Sequence, residues 1–487
     1  MKILCNNPQR IFEMEKTNIQ TFRTSFATAS NEMDKSLIRH LQEIVGTENI
    51  DASDEGRICY AYDATRIQHK PELILYPRNT EQVSRILSIC NQNSIPVYPR
   101  GAGSGFAGGS VPLKGGVALV MTRMNRILGI YPEDLIAEVE PGVVNGQFQK
   151  QVEEIGLFYP PDPGSMAFST LGGNVSTGAG GLRSLKYGVT RDYVLALEAV
   201  LADGTVFRTG VKTLKGVVGY DLTRLLVGSE GTLAVVTRIT LKLIPKPESV
   251  RTALAIYTGH EDAGSTVADI IASKIIPSTL EFMDGNCIRA VEEALHLGLP
   301  IDAGAYLLIE VDGHPETNQR DIMKIRDICM NHHARDVVMA EDQSTRERFW
   351  KARRSISQAI NKVGITKINE DIAVPRSRIP AMLDFIQALS VESRLKILTF
   401  GHAGDGNLHV NILADDAGLV RAQGAVEKIF REVLRLEGTI SAEHGVGITK
   451  APYFGMEIHP PALSVMKRIK DTLDPRGILN PGKIFGV

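Results

Sequence analysis

Two histidines are placed where they can share one metal ion. His402 and His409 flank the segment Ala-Gly-Asp-Gly-Asn-Leu, in which Asp405-Gly406 is typical of a two-residue hairpin turn. Such a turn sets position 402 opposite position 409 and brings the two Cβ atoms within roughly 5 Å. Both imidazoles can then reach a single ion, and Asn411, two residues further along the strand, projects from the same face.

A carboxylate and a third histidine, Glu443 and His444, follow a predicted strand over 438–442. They can supply a third metal ligand and a free imidazole. A set of two histidines and one carboxylate leaves coordination positions open for a substrate. The alternative for each histidine is a structural role, because a single histidine is more often a satisfied core or surface residue. The spacing alone leaves both interpretations open.

The segment around Trp350 offers a site for a carboxylate. Arg353 and Ser357 are four residues apart and therefore lie on one face of a predicted helix. A guanidinium binds a carboxylate through two parallel charge-assisted hydrogen bonds, so the pair can clamp an acidic substrate. The alternative is a basic helix face that is only solvated.

The glycines concentrate between 101 and 231, and the segment 99–110 contains G-x-G-x-x-G from Gly103 to Gly108. A dinucleotide fingerprint needs a helix to begin at this loop, and the following Ser-Val-Pro-Leu-Lys-Gly-Gly cannot form one. A Walker A motif needs Gly-Lys-Ser/Thr at its end, which is missing. The loop therefore predicts a backbone nest for an anion such as a pyrophosphate, with a flexible surface turn as the alternative.

Periodicity predicts the elements that position these residues. In the first half we expect a helix over 35–45, a strand over 73–77, a helix over 80–91 with Thr80 as its N-cap, and strands over 95–98 and 116–122. Residues 137–247 consist of short predicted strands, with a hairpin turn at Asp203-Gly204. After the boundary signal Pro245-Lys246-Pro247, residues 248–440 alternate strands with amphipathic helices. An α+β fold follows.

Composition and charge exclude several classes of protein. The 487 residues include 54 Lys and Arg against 56 Asp and Glu, so the chain lacks the basic field that nucleic-acid binding needs. The hydrophobic fraction of 43% fits a globular protein. Five cysteines without C-x-x-C predict neither a disulfide framework nor an iron–sulfur or zinc-ribbon site. Because no apolar run is long enough to span a membrane, we expect a soluble cytoplasmic protein.

Motifs spread over residues 70–483 resemble the flavoproteins of the vanillyl-alcohol oxidase type. Within them they resemble the group of glycolate oxidase D-subunits, D-lactate dehydrogenases and D-2-hydroxyglutarate dehydrogenases. The motifs are P-R-G-A-G-S-G at 99–105, P-P-D-P-G-S at 160–165, L-G-G-N-V-S-T-G-A-G-G at 171–181, K-Y-G-V-T at 186–190, G-Y-D-L-T-R-L-L-V-G-S-E-G-T-L at 219–233, G-H-A-G-D-G-N-L-H at 401–409, S-A-E-H-G-V-G at 441–447 and N-P-G-K-I at 480–484. Their number and order make the resemblance more specific than any one of them.

The resemblance implies a PCMH-type FAD-binding domain of two α+β subdomains, an α+β cap domain with an antiparallel sheet, and a C-terminal segment that returns to the FAD domain. The implied boundaries are an extension over 1–30, the FAD domain over 31–247, the cap domain with the metal site over 248–450 and the returning segment over 451–487. Relatives with covalent flavin have a His after the glycines, whereas Gly108-Gly109-Ser110 stand here, so we expect non-covalent FAD. The implied cofactor-binding residues are Pro99, Arg100, Gly101, Ala102, Gly103, Ser104, Gly105, Pro161, Gly172, Gly173, Asn174, Ser176, Gly180, Glu230, Val236 and Asn480.

The resemblance also assigns roles at the histidine site. It implies a divalent metal on His402, His409 and Glu443, for which Zn, Fe and Mn are all suitable, and His444 as the base.

For the substrate, the resemblance implies contacts from Arg353, Ser357 and Asn411. The family's substrate lysine is not matched, because Asn369 occupies its position and Lys367 lies two residues away. A dicarboxylate such as 2-hydroxyglutarate is therefore less favoured.

We therefore expect an FAD-dependent dehydrogenase that oxidises a D-2-hydroxy acid, D-lactate or glycolate above all, by metal-assisted hydride transfer to flavin N5. The reduced flavin needs a separate acceptor, which is an electron-transfer flavoprotein, an iron–sulfur subunit or a quinone pool. A homodimer is the expected assembly if the chain self-associates. The alternatives are a D-2-hydroxyglutarate dehydrogenase, a transferase of the alkyl-glycerone-phosphate synthase type and a flavin subunit that only relays electrons.

Overall fold

The structure is a computed structural model that describes residues 33–361 and 365–486. The predicted extension over 1–30 lies outside the described residues. The described residues from Leu41 onward form one compact unit, and it contains all the sheets. Among the described helices, none combines the length and the apolarity that crossing a bilayer requires.

Eighteen strands and sixteen α-helices make up the described chain. The strands are β1 (Ile50–Asp51), β2 (Leu73–Leu75), β3 (Val97–Arg100), β4 (Val117–Val120), β5 (Ile127–Tyr131), β6 (Ile136–Val139), β7 (Leu157–Phe158), β8 (Val194–Val200), β9 (Val206–Gly210), β10 (Val235–Lys242), β11 (Ile244–Pro245), β12 (Ser249–Tyr257), β13 (Thr279–Asp284), β14 (Ala305–Gly313), β15 (Asp336–Met339), β16 (Thr366–Ala373), β17 (Lys396–Gly401) and β18 (Asn407–Ala414). The helices are α1 (Lys35–Val45), α2 (Asp54–Cys59), α3 (Thr80–Gln92), α4 (Asn145–Glu153), α5 (Leu171–Thr177), α6 (Ser184–Tyr187), α7 (Thr190–Tyr193), α8 (Leu222–Leu226), α9 (His260–Ala272), α10 (Gly285–Leu295), α11 (Pro315–Asn331), α12 (Gln343–Ala359), α13 (Ile379–Ser393), α14 (Leu419–Arg435), α15 (Phe454–Glu457) and α16 (Pro460–Leu473).

A small sheet of order β1-β2-β4-β3 carries the first glycine segment. Strands β2, β4 and β3 are parallel, and β2 and β4 are runs of buried apolar residues, as expected for strands covered on both faces. The predicted strand–helix–strand unit is confirmed. The N-cap is wrong by one residue: Asn79 Oδ1 accepts the Gln82 N–H at 2.9 Å, and Thr80 is already helical.

The second sheet has the order β5-β6-β10-β8-β9, and all its neighbouring strands are antiparallel. The predicted hairpin at Asp203-Gly204 joins β8 and β9, and Gly204 has φ +92, a conformation that favours glycine. Helices α4 and α5 cover the sheet through Phe148 and Val175, which are fully buried.

A seven-stranded antiparallel sheet of order β15-β12-β14-β13-β17-β18-β16 dominates the second half. Helices α9, α11, α13 and α14 pack on one face, and α10 and α12 pack on the other. Side chains alternate between the two faces, so Phe282 joins the first core and Met283 the second. The expected α+β architecture with an antiparallel cap sheet is confirmed.

The C-terminal segment returns to the small sheet, as expected. Leu479 forms a parallel bridge with Val97, and Val97 exchanges backbone hydrogen bonds of 2.8 Å with Ile478 and Asn480. The segment around Leu479 therefore lies against the strand that precedes the glycine loop.

The strand predicted over 438–442 is wrong. Only a bridge between Ala373 and Thr439 forms there. The backbone N–H groups of Ala442 and the next two residues instead donate to a side chain, the carboxylate of Asp371, so this stretch needs no ladder partner.

Candidate active site

The two predicted histidines meet, although the predicted hairpin register is wrong by two residues. Phe400, not His402, lies opposite His409. The carbonyl of His402 accepts the N–H groups of both Asp405 and Asn407 at 3.2 Å, which makes a wider loop than a two-residue turn. His402 therefore lies just beyond β17, and its Nε2 is 3.4 Å from Nε2 of His409.

Glu443 completes a triangle of donor atoms. Its Oε1 lies 3.4 Å from His402 Nε2 and 3.6 Å from His409 Nε2. Nitrogen and oxygen ligands bind divalent ions at about 2.0–2.2 Å, which puts neighbouring donors about 3–3.5 Å apart. The three atoms therefore have the spacing of a metal ligand set.

Buried carboxylates orient the histidines. His402 Nδ1 lies 2.7 Å from Glu281 Oε1, so Nδ1 carries a proton toward Glu281 and Nε2 is directed at the triangle. Burial alone lowers the pKa of His402, but Glu281 and Glu443 outweigh it and raise the pKa well above its ordinary value. Burial, with the neighbouring His402 and His444, holds the pKa of His409 well below its ordinary value, so that ring is neutral. His409 Nδ1 has no hydrogen-bond partner among the described residues.

His444 stands beside the triangle. Its Nε2 is 3.7 Å from Glu443 Oε1, and its ring stacks on His409 with centroids 5.2 Å apart. The His444 ring also stacks on Phe106, with centroids 5.3 Å apart. Phe106 belongs to the segment 99–110, so the glycine loop of the first domain and the histidines of the cap sheet share one site.

Arg353 is buried against the cap sheet and is already paired. Its Nε donates to Glu281 Oε2 at 2.7 Å, and its guanidinium lies 4.7 Å from the centre of the Phe400 ring. Burial alone raises the pKa of Glu281, but Arg353 and His402 together hold it below its usual value. Arg353 thus fixes the carboxylate that orients His402.

Ser357 lies one turn further along α12, beside a lysine. Lys367 Nζ donates to the backbone carbonyl oxygen and to the hydroxyl Oγ of Ser357, both at 3.1 Å. The same Nζ lies 5.9 Å from the centre of the Phe106 ring. Burial lowers the pKa of Lys367 to about 8. A cation and a hydroxyl therefore meet on the Phe106 side of the site.

Asn411 braces the cap strands. It is fully buried. Its Oδ1 accepts a hydrogen bond from Asn369 Nδ2 at 2.8 Å, and its Nδ2 donates to the backbone carbonyl oxygen of His409 at 3.1 Å. Its side chain is on the same face as His409, as the sequence predicts.

The glycine loop runs directly along the start of α5. A Cβ at Gly101 would collide with Oγ1 of Thr170, the N-cap residue whose Oγ1 accepts the Gly173 N–H at 3.2 Å. No atom lies within 4 Å of a Cβ built on Gly105, so the loop borders open space. Asn174 Nδ2, on the first turns of α5, is buried and has no hydrogen-bond partner among the described residues. The loop at 99–110 and the glycine-rich segment 171–181 at the start of α5 together form what we call the glycine cradle. It contains an amide donor that has no partner among the described residues.

Comparison with known proteins identifies the family. Residues 71–210 match the family described as FAD binding domain, and residues 246–484 match FAD linked oxidases, C-terminal domain. A glycolate oxidase subunit GlcD of Bacillus subtilis is 48% identical over 93% of this chain and 97% of its own length. The chain belongs to the FAD-linked oxidases.

Two further relatives of this FAD-linked oxidase also match over most of their length. The glycolate oxidase subunit GlcD of Escherichia coli K12 is 39% identical over 92% of this chain and 90% of its own length. A D-lactate dehydrogenase of Anaerostipes hadrus is 36% identical over 93% of this chain and 98% of its own length. Among solved structures, p-cresol methylhydroxylase superposes with a TM-score of 0.76 at 18% identity, covering 92% of this chain and 96% of that chain, which shows the fold.

In this FAD-linked oxidase the cradle fits FAD. The open loop, the close approach of the two glycine segments and the unpaired Asn174 Nδ2 suit a pyrophosphate and its neighbours. Several of the other residues that the sequence assigns to the cofactor have structural partners. Gly172 packs on Pro141, Gly180 lies beside Glu443, Pro161 accepts from Asn145 and Gln149, Ser176 accepts from the Glu230 N–H, Val236 lies in β10, and Asn480 donates to Gly109 and Glu230.

Sequence reasoning missed three residues of the site. Glu281 and Asp371 are fully buried carboxylates of the cap strands. Glu281 lies between apolar residues in Thr-Leu-Glu-Phe-Met-Asp, which is a usable signal, whereas Asp371 lies in the polar strand Thr-Lys-Ile-Asn-Glu-Asp-Ile-Ala and gives none. Phe106 is the single aromatic residue of the glycine loop. The partners of all three are more than thirty residues away in sequence, so their contacts depend on the fold.

Proposed function

We propose that this FAD-linked oxidase oxidises a D-2-hydroxy acid to the 2-oxo acid, with D-lactate or glycolate as the favoured substrate. The observation that carries the proposal is the triangle of His402, His409 and Glu443 with His444 at its edge and Phe106 of the glycine loop stacked on that ring. The names of the glycolate oxidase and D-lactate dehydrogenase relatives support the substrate class.

His402, His409 and Glu443 would hold a divalent cation, for which Zn, Fe and Mn are all suitable. Such an ion supplies Lewis-acid polarisation, which lowers the pKa of a bound hydroxyl. His409 is neutral and ready to bind metal, whereas His402 would release its Nε2 proton when the ion binds. His444 Nε2, next to the same donor set, takes the hydroxyl proton as general base.

The substrate carboxylate would bind on the Phe106 side of the site. Lys367 and Ser357 provide an ammonium and a hydroxyl there, 3.1 Å apart. Arg353 and Asn411 act on the substrate through the positions they give to Glu281 and His409. The carboxylate is thereby oriented with C2 between His444 and the cradle.

FAD held without a covalent bond in the glycine cradle would supply the acceptor for the C2 hydride. The reduced flavin would pass its electrons to a separate acceptor, an electron-transfer flavoprotein, an iron–sulfur subunit or a quinone pool. In the described residues, Cys59, Cys90, Cys287 and Cys329 are free, and the residue groups with metal-ligand spacing contain no cysteine. A cytoplasmic location and a homodimer stay predictions.

Anaerobic mixing of the FAD-loaded protein with single hydroxy acids tests the proposal. D-lactate or glycolate should bleach the flavin absorbance near its long-wavelength maximum and yield the 2-oxo acid, while L-lactate should not. A flavin that no D-2-hydroxy acid reduces, in protein loaded with Zn²⁺ or Mn²⁺, would contradict it.

D-2-hydroxyglutarate is a second candidate substrate, because Lys367 places a cation beside Ser357 although the sequence position of the family's lysine holds Asn369. It belongs in the same reduction assay. Faster reduction by D-2-hydroxyglutarate than by D-lactate would select it. The transferase alternative gains no support, since the likeness to alkyldihydroxyacetonephosphate synthase, at 18% identity and TM-score 0.74, concerns the fold.

A further inference from the structure

One short loop carries both the carboxylate of the triangle and the base. This loop, residues 442–447, contains Glu443 and His444 and has no strand partner. Its backbone N–H groups donate to two buried carboxylates instead, one from the cap sheet and one from the FAD-binding half. We call it the 442–447 loop.

Asp371 of β16 holds the first half of the loop. Its Oδ2 accepts the N–H groups of Ala442, Glu443 and His444 at 3.1, 2.8 and 2.8 Å. Its Oδ1 accepts from Asn407 Nδ2 at 2.7 Å. Asp371 is fully buried, and its position in β16 is directly opposite His409 in β18. One carboxylate therefore ties the loop to the strand that carries a metal-site histidine.

Glu230 holds the second half of the loop from the other domain. It lies between α8 and β10, and its two oxygens accept the N–H groups of Val446 and Gly447 at 2.7 and 2.8 Å. Its own N–H donates to the oxygen of Ser176 in α5 at 2.7 Å. Gly445 has φ +84 and lies against the carboxylate, where a Cβ would come within 2.9 Å of Oε1. The loop is thus linked to the helix that borders the glycine cradle.

The distances at the triangle depend on where this loop stands. Glu443 Oε1 must stay within a few tenths of an ångström of its present place, because productive ligand geometry tolerates errors of about 0.5 Å. No side-chain hydrogen bond reaches the carboxylate of Glu443 from a described residue other than the histidines of the site. Its position is therefore set through the backbone of the loop, where Asp371 and Glu230 together accept five N–H groups. Ser441 Oγ, which donates to the Gly445 oxygen at 2.8 Å, adds a contact within the segment.

We propose that Asp371 and Glu230 are positioning residues, a pair of carboxylates from opposite domains that fixes Glu443 and His444 between the cap strands and the flavin cradle. The inference rests on the proposed function for its chemistry, while the anchoring itself is independent of it. Asp371 sets the spacing of Glu443 from His409, and Glu230 sets the spacing of the loop from α5.

Hydrogen exchange measures the anchoring directly, without reference to activity. In Asp371→Asn, one oxygen that accepts N–H groups is lost or turned away, so the amides of 442–444 should exchange faster than in the parent protein. In Glu230→Gln, the amides of 446–447 should exchange faster. Glu370→Gln is the matched control, because Glu370 is the neighbouring buried carboxylate in β16 and its Oε2 has no partner among the described residues. Equal protection of the loop in all four proteins would overturn the proposal.

Metal affinity measures the consequence. Zn²⁺ and Mn²⁺ titrations of the FAD-loaded proteins should show affinity about 10- to 100-fold lower in Asp371→Asn, the size expected when a residue that supports a ligand is lost. FAD content should stay at that of the parent protein, and Glu370→Gln should bind both ions normally. Unchanged affinity in Asp371→Asn, or the same loss in Glu370→Gln, would refute a positioning role.

The two proposals fail in different ways. A parent protein that binds neither ion and is reduced by no hydroxy acid would refute the proposed function, and the exchange data would still decide the anchoring. If Asp371→Asn does not fold, Glu230→Gln tests the same loop from the other domain. In that variant the limiting rate of flavin reduction should fall at least tenfold while the apparent Kd for D-lactate changes little, and an unchanged rate would refute the role of Glu230.

Discussion

Glu281 Oε1 lies 2.7 Å from Nδ1 of His402, deep beneath the histidine site. The other oxygen of the same carboxylate accepts from Arg353, so Glu281 is held between a cation and an imidazole with no exposed surface. A carboxylate that fixes the tautomer of a histidine also directs its second nitrogen. The orientation of His402 therefore originates in a strand, β13, that contributes no ligand of its own.

Glu281→Gln should weaken metal binding without removing FAD. The amide no longer enforces the proton on His402 Nδ1, so affinity for Zn²⁺ should fall about 10- to 100-fold. The free energy of unfolding should also drop by about 3–5 kcal/mol, because Arg353 is left buried without its carboxylate. Zinc titration and urea denaturation measure the two effects.

A double variant and a control separate these effects. Glu281→Gln with Arg353→Met should recover much of the stability and none of the metal affinity. Glu310→Gln is the matched control. Glu310 is a buried carboxylate that accepts a hydrogen bond of 3.0 Å from Arg346 and does not contact the histidines of the site. Normal zinc affinity in Glu281→Gln would show that His402 is oriented by other contacts.

His444→Ala should leave the cofactor bound and nearly abolish turnover. The imidazole is placed to take the hydroxyl proton, and loss of a general base typically costs about 10²- to 10⁴-fold in rate. Stopped-flow reduction of the flavin by D-lactate measures the rate, and the flavin-to-protein ratio checks binding. His260→Ala, which removes a histidine that pairs with Asp384, should be reduced normally. A His444→Ala protein that reduces its flavin at the parent rate would exclude this base.

The sequence predicts much of this molecule because the decisive signals are local. The α1 bounds, the strand–helix–strand unit and the hairpin at Asp203-Gly204 follow from periodicity and turn chemistry within a few residues. The register at His402 could not be predicted, because its carbonyl accepts two N–H groups and widens the turn. Glu281 and Asp371 could not be assigned either, since their partners come from strands and loops more than thirty residues away. Long-range packing decides those contacts.

Lys367 should make substrate binding depend on pH. Burial lowers its pKa from 10.5 to about 8, so the ammonium that attracts a carboxylate is present below that pH and is lost as pH rises through it. The KM for D-lactate should therefore rise above about pH 8. In Lys367→Met the KM should be high at every pH, and the rise of KM above about pH 8 should disappear.

Steady-state assays from pH 6 to 9.5 with an artificial dye acceptor measure how the KM for D-lactate changes with pH. Lys396→Met is the control, because Lys396 is an exposed lysine on strand β17 of the same sheet and should keep the parent profile. A KM that stays flat to pH 9.5 in the parent protein would show that Lys367 does not bind the carboxylate.

Glu370 should make the protein less stable as pH rises through neutrality. Burial raises its pKa to about 7, so the folded state keeps its proton at a pH where the unfolded chain, with a pKa near 4.5, has lost it. The stability that the neutral carboxyl provides is complete below about pH 4.5 and is lost as pH rises to about 7. Since one pKa unit corresponds to 1.36 kcal/mol, Glu370→Gln should be more stable than the parent protein by about 3 kcal/mol at pH 8 and about equal to it at pH 4.5. Urea denaturation at the two pH values measures the difference, and an equal gain at both would point to packing of the amide instead of the charge.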